Sequence, residues 1–399
     1  MRISTSQMHF SATNALLDQQ SRLSRTQLQV ATGRRILTPA DDPVASASLL
    51  DLKQTRALTE RFQLNADAAR ARLALEESTL GAVSDALVRV RELAVQGNND
   101  TLSGTDRGAL AREVRQIVDQ LLGLANTRDN NGDYLFAGYQ GSVRPFAANG
   151  SGGFDYYGDD GTRLIAIGPG REVQDADSGT AVFRAIRNGN GTFATREGAA
   201  NTGTGVIDAG TVNGTFVPDT YTITFSQPTP SDPLTFQVDG AVSGNVVPPG
   251  TAFVEGAEIA FNGVSVSITG TPADGDTFTV TPSANQDLFT TVQNLALALE
   301  NPDATARHNA VNRVLADLDQ AEENIVNVRT SIGARLNAID AQVRNNEDQI
   351  LALDETLSII GDLDYAEAVS RLNLQLTGLQ AAQQAFVRVQ NLSLFNFLR

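Results

Sequence analysis

Apolar residues recur at intervals of three and four along two long arms of this chain, and short alternating runs replace that spacing in the middle. The last stretch, Leu363 to Arg399, shows the pattern most plainly. Val369, Leu372, Leu376, Leu379, Gln383, Phe386 and Gln390 follow one another there at threes and fours, the seam of a helix meant to lie along another helix. The stretch closes on Leu394-Phe395-Asn396-Phe397-Leu398. A helix striped in this way needs a partner to cover it.

The N-terminal arm offers one. From residue 5 to Thr32 the pattern is helical, with Leu16, Leu23 and Val30 seven residues apart and Ala12, Gln19 and Thr26 at the weaker seam positions. So thin a stripe cannot bury itself alone. Gly33 suits the left-handed residue that follows a helix, and Arg34 and Arg35 complement the dipole at that end. Asp42 before Pro43 predicts an N-cap and a first-turn proline opening a second helix. Asp41 and Asp42 could instead hold a cation, but no further ligand stands at metal-site spacing. The second helix has no breaker from Pro43 to Gln96, which at 1.5 Å per residue would span roughly 80 Å. Leu80, Val83, Leu87, Val90 and Ala94 form its strict seam, and Gly97-Asn98-Asn99 ends it. Ser103 and Asp106 resemble a capping box before a third helix carrying Leu110, Val114, Ile117, Leu121 and Leu124. Long helices joined by short turns make an antiparallel rod.

At Asn130-Asn131-Gly132-Asp133 the character changes. Residues 134–139, Tyr-Leu-Phe-Ala-Gly-Tyr, read as a strand. Alternation then marks short strands at Tyr221–Phe225, Leu234–Val238, Val264–Ile268 and Thr277–Val280, an all-β insert. The glycine-rich stretch Gly189–Gly214 reads as a long loop. Helices return at Gln286–Glu300 and again from Ala304 to Ile360. The apolar face of the latter runs through Ile325, Val328, Ile332, Leu336, Ile339, Val343, Asn346, Ile350, Leu353, Leu357 and Ile360. Asn346 is either an exposed edge position or a buried asparagine that sets register. Gly361-Asp362 forms a joint.

The fold class that follows is α+β: a long antiparallel helical rod built from both termini, with an all-β domain inserted in its middle. The expected division is 1–42 with 361–399 as a terminal coiled-coil assembly domain, 43–140 with 285–360 as the helical rod, and 141–284 as a β-rich outer domain.

Composition narrows the function. At 399 residues the chain has room for two or three domains, and its 41% hydrophobic and 19% charged content suits a soluble protein. No apolar run nears the ~18 residues of a membrane helix. A net charge of −16 argues against nucleic-acid and anionic-membrane partners. There are no cysteines, hence no disulfide framework or thiolate chemistry. Met1 to Gln7 lacks the apolar core of a secretory signal, which does not support ordinary export and leaves export through a dedicated machine open.

The search for chemistry finds no catalytic set, cofactor site or metal site. His9 and His308 stand apart from any nucleophile, and no Gly-x-Ser-x-Gly elbow occurs. Gly168-Pro169-Gly170 does not link a strand to a helix as a phosphate cradle must. Asp159-Asp160-Gly161 and Asp274-Gly275-Asp276 read as β-turns rather than calcium loops, which need further ligands. The regular information lies in the apolar seams, the chemistry of assembly.

Several motifs carry a family resemblance. Ala31-Thr32-Gly33-Arg34-Arg35-Ile36 with Ala40-Asp41-Asp42-Pro43, Arg91-Glu92-Leu93-Ala94-Val95-Gln96 and Asp362-Leu363-Asp364-Tyr365-Ala366-Glu367-Ala368-Val369 resemble the signatures of flagellin-like proteins. Gly132-Asp133-Tyr134-Leu135-Phe136-Ala137-Gly138 and the ending Leu392 to Leu398 are more similar to the hook-associated branch at the hook–filament junction than to filament flagellins. The resemblance covers both arms. It implies a non-enzymatic structural subunit of the bacterial flagellum, exported unfolded through the flagellum's own type III channel and placed outside the cell. It further implies a ring of its own copies between another hook-associated protein and flagellin, and a cytoplasmic export chaperone that masks the C-terminal helices. On this reading the assembly interface comprises Leu16, Leu23, Val30, Val369, Leu372, Leu376, Leu379, Phe386, Leu394, Phe395 and Phe397. Both terminal stripes are expected to stay loosely ordered in the free monomer and to fold on assembly. The rival readings are a filament flagellin and a secreted adhesin binding through residues 141–284.

Overall fold

The structure is a computed structural model that describes residues 5–150 and 152–395. Among the described residues, six α-helices come from the two ends of the chain: α1 (Thr5–Thr32), α2 (Pro43–Gly97), α3 (Gly104–Ala125), α4 (Leu288–Glu300), α5 (Ala304–Gly361) and α6 (Tyr365–Phe395). Every strand among these residues lies between α3 and α4, so the fold is α+β with a central all-β region. The chain divides into two compact units, residues 65–341, and residues 1–64 together with 342–399.

Within residues 65–341, the stripes of α2 and α5 are buried as their periodicity predicts. Leu80, Val83, Leu87, Val90 and Ala94 have no exposed surface, nor do Ile325, Ile332 and Ile339. The helices run antiparallel, tied by Arg70 to Asp340, Arg329 to Glu77 (2.7 Å) and Arg91 to Glu322 (3.2 Å). α3 begins on the expected capping box: the Asp106 amide donates to Ser103 Oγ (3.2 Å), and the Ser103 amide donates to Asp106 Oδ2 (3.3 Å). It packs on α4, which Asp287 caps by accepting the Thr290 amide (2.7 Å).

Residues 134–139 are not a strand. Tyr134, Leu135, Phe136 and Ala137 are all buried, so consecutive residues rather than alternate ones fill the core. The backbone turns tightly to allow this. Its groups bond to scattered partners: the Leu135 amide to the Thr127 carbonyl (3.0 Å), and the Gly179 amide to the Phe136 carbonyl (2.9 Å). Gly138 closes the turn at φ +65°, where a Cβ would overlap the carbonyl oxygen of Asp159. Gly138→Ala is therefore expected to cost about 2–4 kcal/mol, combining left-handed strain with overpacking. Denaturant unfolding checks this, and a loss under ~0.5 kcal/mol would show that the turn relaxes freely.

The β insert packs two antiparallel sheets on one core. One holds five strands, in the order Gly244–Ala252, Thr235–Gly240, Tyr221–Ser226, Thr277–Pro282 and Phe193–Glu197. The other is centred on Val264–Thr269. Alternate residues point inward along each strand: Tyr221, Ile223 and Phe225; Phe236 and Val238; Val264, Val266 and Ile268; Phe278 and Val280. The stretch Gly189–Gly214 is not the single loop its composition suggests. It contains the edge strand Phe193–Glu197 and two short strands, Val206–Ile207 and Thr211–Val212, that pair with Val264–Thr269. Positive φ at Gly189, Gly191, Gly210 and Gly214 turns the chain between these pieces, so the glycines frame strands they seemed to exclude.

Candidate assembly surface

Residues 1–64 and 342–399 hold most of the residues that sequence reasoning places at an interface, and their geometry starts from a joint. α1 ends where the Gly33 amide donates to the Gln29 carbonyl (2.9 Å), with Gly33 at φ +68° as a helix-ending glycine should be. A Cβ there would lie 2.8 Å from the Tyr365 hydroxyl. The returning chain pairs with this turn: the Leu363 amide donates to the Gly33 carbonyl (2.9 Å), and the Arg35 amide to the Gly361 carbonyl (2.8 Å). The Arg35 guanidinium reaches the Ile360 carbonyl (2.8 Å), an otherwise free acceptor near the end of α5. Asp41 accepts the Leu37 and Thr38 amides (3.0 and 2.9 Å). These bonds, that from Thr38 foremost, hold its carboxyl below the usual aspartate range. Asp42 accepts the Ala45 amide (3.0 Å), the N-cap bond expected for a helix with Pro43 in its first turn. Asp364 does the same for α6, accepting from Glu367 (3.1 Å). The aspartate pair thus caps turns.

Beyond the joint, α1 and α6 pack side by side. Gln19 lies beside Gly378, and the His9 ring meets Phe386 edge-on at 6.1 Å, so the helices run antiparallel from the Gly33–Tyr365 contact. Leu23 is buried, and Leu16 and Val30 are half-buried. α6 answers with Ala368, Leu372, Gln375, Leu379, Ala382 and Phe386. Leu372, Leu379 and Phe386 therefore stand on the shielded face as the sequence suggests. Val369 and Leu376 do not: they are 43% and 36% exposed, on the flank of the helix. The shielded face instead carries the small Ala368 and Ala382. Phe397 and the side chains of Leu394 and Phe395 lie outside the described residues. In the neighbouring α2–α5 pair of this unit, Asn346 is fully buried and accepts from Gln342 Nε2 (2.8 Å). The exposed-edge alternative for Asn346 is thereby ruled out.

One feature escapes a single-seam reading. Phe10, Leu17 and Leu28 are 70%, 58% and 56% exposed. Steps of seven and eleven residues bring these three to one line on α1, a little over a third of a turn from Leu16, Leu23 and Val30. Tyr365, Val369, Leu376 and Val387 likewise form an exposed line along α6. More than half of the exposed large apolar side chains among the described residues belong to this unit, which has under a third of the chain. It holds twelve Lys or Arg and twelve Asp or Glu, so the net charge of −16 falls wholly on residues 65–341. An apolar, neutral surface can meet copies of itself without desolvating uncompensated charge.

The residues considered for chemistry are placed otherwise. His308 bonds Asn98 Oδ1 (2.8 Å) and Asp100 (3.0 Å), and that contact lowers the Asp100 pKa. Asp159 Oδ1 accepts the Tyr139 and Gly161 amides, and Asp276 accepts those of Thr202, Gly203 and Ala273. Both carboxylates thus close turns. Among the described residues, no three His, Cys, Asp or Glu side chains gather as a metal site would require, and no helix is long and apolar enough to cross a membrane.

Comparison with known proteins agrees with this geometry. Residues 3–141 match the bacterial flagellin N-terminal helical region, and residues 315–398 the C-terminal helical region. The crystal structure of flagellar hook-associated protein-3 from Legionella pneumophila is 37% identical, with a TM-score of 0.75 over 77% of this chain and 98% of that one. The chain belongs to the flagellar hook-associated protein 3 family. FlgL of Xanthomonas campestris is 32% identical, with a TM-score of 0.71 over 77% and 99% of the two chains. Flagellar hook-associated protein 3 of Escherichia coli K12 is 26% identical over 395 residues, 99% of each chain. The flagellin of Clostridium tyrobutyricum aligns over only 29% of this chain, at 31% identity. The motifs that carry the family resemblance have physical work to do here. The Gly33 and Asp42-Pro43 segment and the Asp362–Val369 segment are the two halves of the joint, and Gly132–Gly138 is the buried turn.

Proposed function

We propose that this chain is a structural subunit of the bacterial flagellum, one of the copies forming the junction between hook and filament outside the cell. What carries the reading is the match along the whole chain to hook-associated protein 3, whereas the Clostridium tyrobutyricum flagellin aligns over only 29% of it. The exposed lines on α1 and α6 support assembly through the terminal helices. In the proposed ring, 1–42 with 361–399 forms the inner layer, 43–140 with 285–360 the next, and 141–284 the outer surface. Leu16, Leu23, Val30, Leu372, Leu379 and Phe386 hold α1 and α6 together, while Val369 and Leu376 face neighbouring copies. The remaining proposed partners are an adjacent hook-associated protein, flagellin and an export chaperone that covers the apolar C-terminal helix before export. No catalytic step is part of this role.

Deleting the gene tests the reading. Cells are expected to keep their hooks, lose their filaments and release flagellin into the medium. Filaments of normal length on the deletion strain would overturn it.

A further inference from the structure

Seven charged side chains converge within residues 65–341, where α2 meets the hairpin formed by Leu164–Gly168 and Arg171–Gln174, and α5. Arg72 binds Asp129 and the Tyr134 carbonyl (3.1 Å), with its Nε 3.8 Å from Asp175. Asp175 is also held by Arg163 (2.9 Å). One turn along α2, Glu76 has no exposed surface. Its Oε1 accepts the Asp177 amide (3.1 Å), and its Oε2 is buried with no hydrogen-bond partner. The Asp177 carboxylate is bound by Arg335 of α5 and by Gln174 Nε2 (3.0 Å). The charged groups facing Glu76 are therefore Arg72 on its own helix, Asp177 after the hairpin, and Arg335 on α5.

Each arginine of the cluster already has a carboxylate partner. Arg72, Arg163 and Arg335 supply three positive charges, and Asp129, Asp175 and Asp177 take up all three. An ionised Glu76 would be a fourth anion, dry, with one oxygen unbonded and a carboxylate beside it. A neutral carboxyl in the same place avoids most of that penalty. We infer that Glu76 keeps a proton in the folded protein and serves as a latch, holding residues 163–184 on α2 and α5 while neutral and loosening them when it ionises.

Burial, first, and the charge of Asp177, second, push the Glu76 pKa well above the ordinary range, against the opposing pull of Arg335 and Arg72. The folded state therefore binds a proton that the open state releases. The docked form is fully favoured below the ordinary glutamate pKa and loses stability as pH rises towards the raised one. One linked proton makes opening about tenfold easier per pH unit across that window.

Hydrogen exchange on the full chain, from about pH 5 to about pH 9, tests this. Protection of residues 172–184, corrected for the intrinsic exchange rate, should fall by up to about tenfold per pH unit in the natural protein. In Glu76→Gln it should stay flat. Asp177→Asn keeps the amide donor but removes the facing charge, so the fall should end at a lower pH. Parallel curves for the natural protein and Glu76→Gln would overturn the latch. If Glu76→Gln leaves the segment open at every pH, Asp177→Asn decides: an end-point shifted down upholds the latch, and an unmoved one rejects it.

Discussion

Leu372→Ser combined with Leu379→Ser is expected to detach α6 from α1 and to abolish incorporation into the flagellum, while leaving the β insert folded. Each leucine contributes about 1.5–3 kcal/mol when fully buried, and somewhat less from these half-buried sites. The stripe opposite them is thin, with Leu23 as its one buried leucine, so little remains to hold the pair once two members are polar. Loss of helicity in the purified chain, unchanged near-ultraviolet dichroism from the aromatic β core, and absence of the variant from isolated flagella would together support the expectation. Normal incorporation would sink the idea that the α1–α6 pair is the assembling element.

The second large effect should come from residues that contribute almost nothing to the folded monomer. Phe10→Ser, Leu17→Ser and Leu28→Ser together should leave unfolding of the free chain within about 1 kcal/mol of the natural protein, because exposed side chains lose little on truncation. Incorporation into the flagellum and swimming should nonetheless be lost. A contact repeated around a ring forfeits the burial of all three side chains at every copy. If cells carrying this variant swim normally, the outer line of α1 is not an interface.

The two variants divide a surface that the sequence presents as one. A three-four reading of α6 gathers Val369, Leu372, Leu376 and Leu379 into a single seam, because threes and fours fit any path within a wide apolar arc. In the fold, the shielded side of that arc is the one that carries Ala368 and Ala382. Leu372 and Leu379 are shielded and Val369 and Leu376 left out. The line Phe10, Leu17 and Leu28 was readable from its spacings of seven and eleven. It stayed hidden behind the stronger heptad of Leu16, Leu23 and Val30.

Local chemistry was legible in the sequence wherever neighbours within a few residues decide it. The termini of α1, α2 and α3, the cap at Asp42 with Pro43, the box at Ser103 and Asp106, and the alternating strands around Tyr221 and Val264 are all of this kind. So is the α5 face from Ile325 to Val343, since a long helix repeats its signal many times. Tertiary structure decided the rest. Tyr134 to Ala137 form a buried turn because four consecutive side chains face one core, and Gly189 to Gly214 hold strands because distant edges pair with them. Only the fold shows that Asn346 is buried, that Glu76 sits among six other charged groups, and which side of α6 meets α1. Each of these depends on partners far away in sequence, and periodicity carries no record of which partner arrives.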